Sequence, residues 1–292
     1  MPSPGSAAES VFDDPSSGLL GWFGEPWVIP QLHRHNDVEL NLVAAGELHY
    51  LFGGQVQAIS AGHLAIFWAV TPHRIIHTAP KTLLGVIQVP LVEFLRWKLP
   101  QALQETLLQG HMALGRDDDP GFDQRLFERW AKDLQQTPVP AVNPNPLERH
   151  RVVLLEVEAR LLRHARQTAP QPLKAKPPLR TLGAPMDKAQ QLARLLAERH
   201  SEAVPLEQIA AEVGLNPSYA MTLFRRTLGL TMYEYLNQHR IAHAQRLLIT
   251  SDLPILDVAL EAGFGSLSRF YQAFKASSGY TPKAYRALHF RG

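Results

Sequence analysis

The C-terminal third of this chain contains one segment twice, and no other feature limits its fold as strongly. At an offset of 49, Pro205 falls on Pro254, Ile209 on Val258, Ala210 on Ala259, Gly214 on Gly263 and Leu215 on Phe264. At an offset of 50, Ser218 falls on Ser268, Phe224 on Phe274, Arg225 on Lys275, Gly229 on Gly279, Thr231 on Thr281 and Tyr235 on Tyr285. One residue inserted in a turn accounts for the change of offset. The domain is therefore two copies of a unit of about fifty residues.

Each copy reads as a short helix, a glycine turn and a second helix. Pro205 and Pro254 suit first helical positions, where the missing N–H is no loss. Gly214 and Gly263 stand where the first helices must stop in a left-handed residue, and Asn216-Pro217 supplies a cap and an N1 proline for the next helix. In the first copy Ala220, Leu223, Phe224 and Leu228 recur at helical spacing and are expected inside, leaving Ser218, Met221, Thr222, Arg225 and Arg226 outward. In the second, Phe270, Ala273, Phe274 and Ser277 are expected inside and Ser268, Arg269, Gln272 and Lys275 outward. Such a helix suits the major groove of double-stranded DNA, although any one outward residue could equally be solvated surface. Residues 231–249 keep a helical pattern between the copies, with Thr231 as cap. At about 1.5 Å per residue that rod is roughly 28 Å long, against about 34 Å between neighbouring major-groove segments. Lys and Arg total 29 against 27 Asp and Glu, so a nucleic-acid surface has to be local. From Gly214 onward there are nine basic and four acidic residues.

Residues 31–90 change to short β-rich runs, at 38–43, 49–52, 56–60, 64–70, 74–78 and 83–89, with Gly53-Gly54 as a hairpin turn. Many short strands predict a small barrel or jelly roll. His33 and His35 alternate by two and leave one face of a strand, joined by Glu39 if no bulge intervenes. With His73, which follows Pro72, they could form a three-histidine, one-carboxylate metal site or simply the polar wall of a pocket. Trp22, Trp27 and Trp68 could stack on a sugar ring or pack in the core. Helical texture returns at 91–99, 122–134 and 147–165, for a dimer interface or a cap on the barrel.

With 292 residues, two domains are expected. The absence of cysteine removes disulfides and thiolate metal sites. Met1 to Ser10 lacks the pattern of a secretory signal, and no apolar run approaches the roughly 18 residues of a membrane span. No acid–base pair, nucleophile motif or phosphate-cradling glycine loop points to an enzyme.

Residues 185–290 resemble the C-terminal domain of the AraC family of transcription regulators. The resemblance runs through Ile255, Ala259, Gly263, Phe264, Ser268, Phe270, Phe274, Lys275, Gly279, Thr281, Pro282, Tyr285 and Arg286. Segments 219–224, 253–271 and 62–73 are similar to the subgroup of melibiose-operon regulators, and His33, His35, Glu39 and Gly46 follow the order of a cupin first motif. The resemblance implies an α+β multidomain fold, with an N-terminal cupin-like β-barrel, accessory helices and a C-terminal all-α domain of two helix-turn-helix units joined by a long helix. The expected divisions are a flexible N-terminus at 1–20, the effector domain at 21–100, accessory helices at 101–166, a Pro/Lys/Ala-rich linker at 167–184 and the DNA-binding domain at 185–292. It further implies a cytoplasmic homodimer that binds DNA and RNA polymerase, as activator or repressor. The implied effector is a small molecule, a sugar such as an α-galactoside, held by His33, His35, Glu39, Trp68 and His73 without metal or cofactor. A metal-binding cupin enzyme or metal sensor fused to a DNA-binding module is the alternative. By position the resemblance implies DNA contacts from Ser218, Met221, Thr222 and Arg225, then Leu267, Ser268 and Gln272; Thr222 and Gln272 stand where relatives often carry arginine, so the operator sequence does not transfer.

Overall fold

The computed structural model describes residues 19–29, 31–116, 119–135, 146–167 and 184–289. Apart from their end residues, the expected flexible N-terminus and the linker lie outside them. Eight strands come first: β1 (Leu20–Gly24), β2 (Asp37–Ala45), β3 (Glu47–Phe52), β4 (Gln55–Ser60), β5 (His63–Trp68), β6 (His73–Thr78), β7 (Leu83–Pro90) and β8 (Ala113–Arg116). They pair antiparallel in two sheets, ordered β1-β7-β2-β5-β8 and β4-β3-β6. Of the expected barrel or jelly roll, the two facing sheets agree with the second; among the described residues no ladder joins an edge of one sheet to the other, so a closed barrel is not seen. The six anticipated strands are present. β1 and β8 were not anticipated, being short edge strands with too few residues to display a period.

Period-2 alternation sorts each strand between two cores. In β2, Val38, Leu40 and Leu42 join Leu64, Ile66, Trp68, Ile87 and Val89 on one face of the larger sheet. Val43, Ala65, Phe67, Leu84 and Val86 point the other way and meet Leu48, Tyr50, Phe52 and Ile75 of the smaller sheet. Accessory helices α1 (Leu91–Arg96), α2 (Gln101–Leu108), α3 (Pro120–Gln135) and α4 (Pro146–Gln167) contribute Phe94, Leu103, Leu107, Phe127, Trp130, Val153, Val157 and Leu161 to the first core. A sheet buried on both faces loses its polar alternation, hence the near-continuous apolar runs.

The remaining helices are α5 (Ala184–Glu198), α6 (Leu206–Glu212), α7 (Pro217–Leu228), α8 (Met232–Thr250), α9 (Ile255–Glu261), α10 (Leu267–Ser278) and α11 (Pro282–His289). The internal repeat is repeated in geometry. Phe224 packs on Tyr235 with ring centroids 5.4 Å apart, and Phe274 on Tyr285 at 5.3 Å. Leu215 N donates to Ala210 O and Phe264 N to Ala259 O, at 3.0 and 2.9 Å. Gly214 and Gly263 have φ of +71° and +88°. A Cβ on Gly263 would fall 2.7 Å from the His200 carbonyl oxygen, so that turn admits no side chain. Pro205 and Pro254 sit one position earlier than expected, at the N-caps of α6 and α9. Asn216 Oδ1 caps α7 through Ser218 N at 3.0 Å, and Thr231 with Glu234 forms a capping box on α8. α8 is buried on several sides and serves as the common rod of both halves.

The outer face of the smaller sheet is covered too. Leu32, Leu51 and Ile76 share a core with Leu192, Leu196, Ile209 and Phe224 of α5, α6 and α7. The β-sheet and helical domains therefore meet through apolar packing.

Candidate functional site

The two repeated helices build the first surface. Ala220, Leu223, Phe224 and Leu228 are buried as expected, and Ser218, Met221, Thr222, Arg225 and Arg226 are all exposed on α7. On α10, Phe270 and Phe274 are buried, Ala273 is half-buried, and Leu267, Ser268, Arg269, Gln272 and Lys275 are exposed. Ser277 departs from its expected place. It is exposed, and its Oγ accepts from the guanidinium of Arg34 in the β-sheet domain.

The second site lies between the two sheets. A cavity of about 20 Å³ is bounded by Trp22, Trp27, Ile29, His33, Glu39, Tyr50, His73, Ile75 and Val86. Its polar floor comes from three chain segments. An isolated antiparallel bridge pairs His33 with His73, and His35 N donates to Ala69 O at 3.0 Å. Glu39 enters from β2, facing the same side as its cross-strand partners Phe67 and Gln88. His35 Nε2 donates to Glu39 Oε1 at 2.7 Å, and His73 Nε2 lies 3.5 Å from the same oxygen. Glu39 Oε2 accepts from Asn41 Nδ2 at 2.8 Å, and that nitrogen also reaches Tyr50 Oη at 2.9 Å.

Charge separates the histidines. Burial, with His73 adjacent, lowers His33 to about 3 and keeps its ring neutral. Burial also opposes charge on His35, but the Asp37 and Glu39 carboxylates, which accept from the ring, outweigh it and raise the ring to about 9. The Glu39 carboxyl is likewise penalised by burial, yet His73 and His35 hold it well below the usual carboxylate range. This places a neutral imidazole, a carboxylate and an imidazolium in one floor.

Four of the five expected effector residues are thus brought together; Trp68 is not. Its cross-strand partner is Val38, so it points away from Glu39 into the core beneath the accessory helices, with 0% exposure. Trp22 and Trp27 take the cavity wall instead, edge to face at 5.5 Å. Sequence reasoning missed Tyr50, Asn41 and Gln88, which the parity of paired strands selects and a single strand does not reveal.

It also missed Arg34 and Asn36. They alternate with His33 and His35 and face the helical domain: Arg34 Nη1 donates to Gln245 Oε1 at 2.8 Å, and Tyr285 Oη donates to Asn36 Oδ1 at 2.5 Å. One segment therefore carries the cavity floor on one side and contacts to α8, α10 and α11 on the other.

Comparison with known proteins adds a third line. Residues 209–288 match a helix-turn-helix domain family. The melibiose operon regulatory protein of Escherichia coli K12 is 30% identical over 273 residues, covering 91% of this chain and 86% of that protein. An uncharacterized HTH-type transcriptional regulator of Staphylococcus aureus strain COL is 34% identical over 100 residues, 34% of this chain and 13% of its own length. Among solved structures, fatty-acid-bound ToxT of Vibrio cholerae spans 93% of this chain and 95% of its own at 13% identity, with a TM-score of 0.36.

Proposed function

The chain belongs to the AraC family of DNA-binding transcription regulators, and we propose that it reads DNA through two helix-turn-helix units while a small effector in its β-sandwich controls the pose of those units. The observation that carries this reading is the pair of equivalent exposed faces on α7 and α10, set on opposite halves of the rod α8. Arg225, Arg226, Arg269 and Lys275 supply phosphate contacts and Gln272 a base-edge contact. On a duplex selected from a random library, Arg225→Ala should weaken binding for every sequence and reduce the salt slope by about one. Gln272→Ala should relax discrimination at one base position, a loss of about 1–3 kcal/mol there. Anisotropy titrations in which neither change alters affinity would remove these faces from the interface.

The effector reading rests on the cavity and on its link to the helices. The name of the E. coli relative makes an α-galactoside the leading candidate, with the Trp22–Trp27 pair as its stacking platform and His33, Glu39 and His73 as hydrogen-bonding groups. A cavity of about 20 Å³ admits no sugar ring, so entry requires the segment carrying Trp27 to move. A ligand of this kind shifts the DNA-binding helices only by binding one interdomain arrangement better than another. In a thermal-shift screen of glycosides, a bound sugar at a hundredfold excess over its Kd should add about 2.7 kcal/mol; a flat response to all sugars would strike the sugar assignment.

Dimerisation is assigned to α4. Its inner face buries Val153, Val157 and Leu161, while Val152, Leu155 and Leu162 form an outer apolar stripe, Leu155 being 57% exposed. Leu155→Glu should convert a dimer to a monomer in sedimentation without loss of helical signal; a wild-type monomer on DNA would overturn it. Recruitment of RNA polymerase by the DNA-bound dimer completes the proposed activity.

A further inference from the structure

We infer that His33, His35, Glu39 and His73 form a site for a divalent transition metal such as Zn²⁺, and that its occupancy sets the segment that latches the DNA-binding helices. The inference rests on the reading of the sandwich cavity as a binding site. One ligand atom from each of these four residues can be chosen so that all lie within 4.8 Å of one another. Three imidazoles and a carboxylate favour Zn²⁺, Co²⁺ or Ni²⁺ over the oxygen-seeking Ca²⁺ and Mg²⁺.

Two details turn a cluster into a ligand set. His73 Nδ1 donates to Thr71 O at 2.9 Å, which leaves Nε2 as the ring atom turned toward Glu39. That nitrogen and His33 Nδ1 are buried without hydrogen-bond partners. Burying polar atoms in this state is unfavourable, a cost that a metal–nitrogen bond removes. His35 Nδ1 lies 3.2 Å from Asp37 Oδ2, the outer carboxylate that commonly orients a metal-bound imidazole. The two buried carboxylates, Glu39 and Asp37, are balanced by one divalent cation. Binding replaces the proton between His35 and Glu39, which leaves to solvent. The cavity volume fits an ion or a water rather than an organic ring.

The coupling follows from alternation. Metal bonds to His33 and His35 pin the backbone that carries Arg34 and Asn36, and those two hold Gln245, Ser277 and Tyr285. The full-length chain, stripped with chelator and titrated with Zn²⁺ or Co²⁺, should bind one ion per chain by calorimetry and elemental analysis, with a rise in melting temperature. Glu39→Gln, which preserves shape, and His73→Ala should abolish this. Asp37→Asn should weaken it by about 10- to 100-fold. Arg34→Ala should bind metal like the wild type while its DNA affinity no longer responds to metal. No stoichiometric binding, or binding that survives both ligand variants when near-UV dichroism reports a native fold, overturns the site. Normal metal binding with unchanged wild-type DNA affinity overturns the coupling. Failure to bind DNA with or without metal strikes the regulator reading instead and leaves the metal titration to decide the site.

Discussion

Asp123→Ala is expected to destabilise the sensor domain by about 3–5 kcal/mol, a large share of the roughly 5–15 kcal/mol that holds a domain folded. Arg160 Nε and Nη2 donate to the two Asp123 oxygens at 2.6 and 2.7 Å, and both side chains are shut off from water. Removing the carboxylate takes the bidentate partner from a buried guanidinium in the seam between α3 and α4, where desolvation is then less fully offset. Replacing both partners by Arg160→Met and Asp123→Leu should recover most of the loss, because the penalty comes from burying a charge that has lost its carboxylate and not from the missing bridge. Urea midpoints for the two single variants and the double variant test this. A single variant with an unchanged midpoint would mean that water reaches the seam. Since α4 also carries Val152, Leu155 and Leu162, the single variants should weaken dimerisation as well.

Acidification should unfold the same region. His164 lies one turn beyond Arg160 on α4, 1% exposed, with neither ring nitrogen paired. Burial first, and the Arg160 charge second, lower it from 6.5 to about 4. Between those values the unfolded chain binds a proton that the folded chain refuses. Stability is therefore complete above pH 6.5 and falls as pH drops toward 4, by about 3 kcal/mol for this residue. His289, which burial also lowers to about 4, adds a loss of the same sign. His164→Leu should flatten the acid limb and raise stability at neutral pH, since it removes two unpaired buried nitrogens. Denaturation midpoints at pH 7 and near pH 5 decide it; equal acid losses in wild type and variant would assign the limb to other groups.

Much of the helical domain was legible before any coordinates. The offset repeat anticipated the equivalence of Phe224 with Phe274 and of Tyr235 with Tyr285, which the structure turns into two matching stacks, and local patterns anticipated the glycine turns and the outward placement of nine residues on α7 and α10. Helical spacing is a local property, and so are caps, so neighbours in sequence carry the information. The limit was Ser277, where the partner surface is another domain. α2 was missed too, because eight residues between a proline and a glycine show little more than two turns.

In the sensor domain the sequence alone determined six strands and the four polar residues of the floor. Which face each strand gives to the cavity was decided by register, a long-range property. Pairing of Glu39 with Phe67 brings Phe67 to the polar side and turns Trp68 away, and no local period distinguishes these two outcomes. The same holds for the division into two sheets and for the latch. His33 and His35 read as candidates by residue type, whereas Arg34 and Asn36 acquire a role only because the helical domain docks on the opposite side of the segment. A chain specifies its elements through interactions between near neighbours; its surfaces are assigned by contacts between residues more than two hundred positions apart.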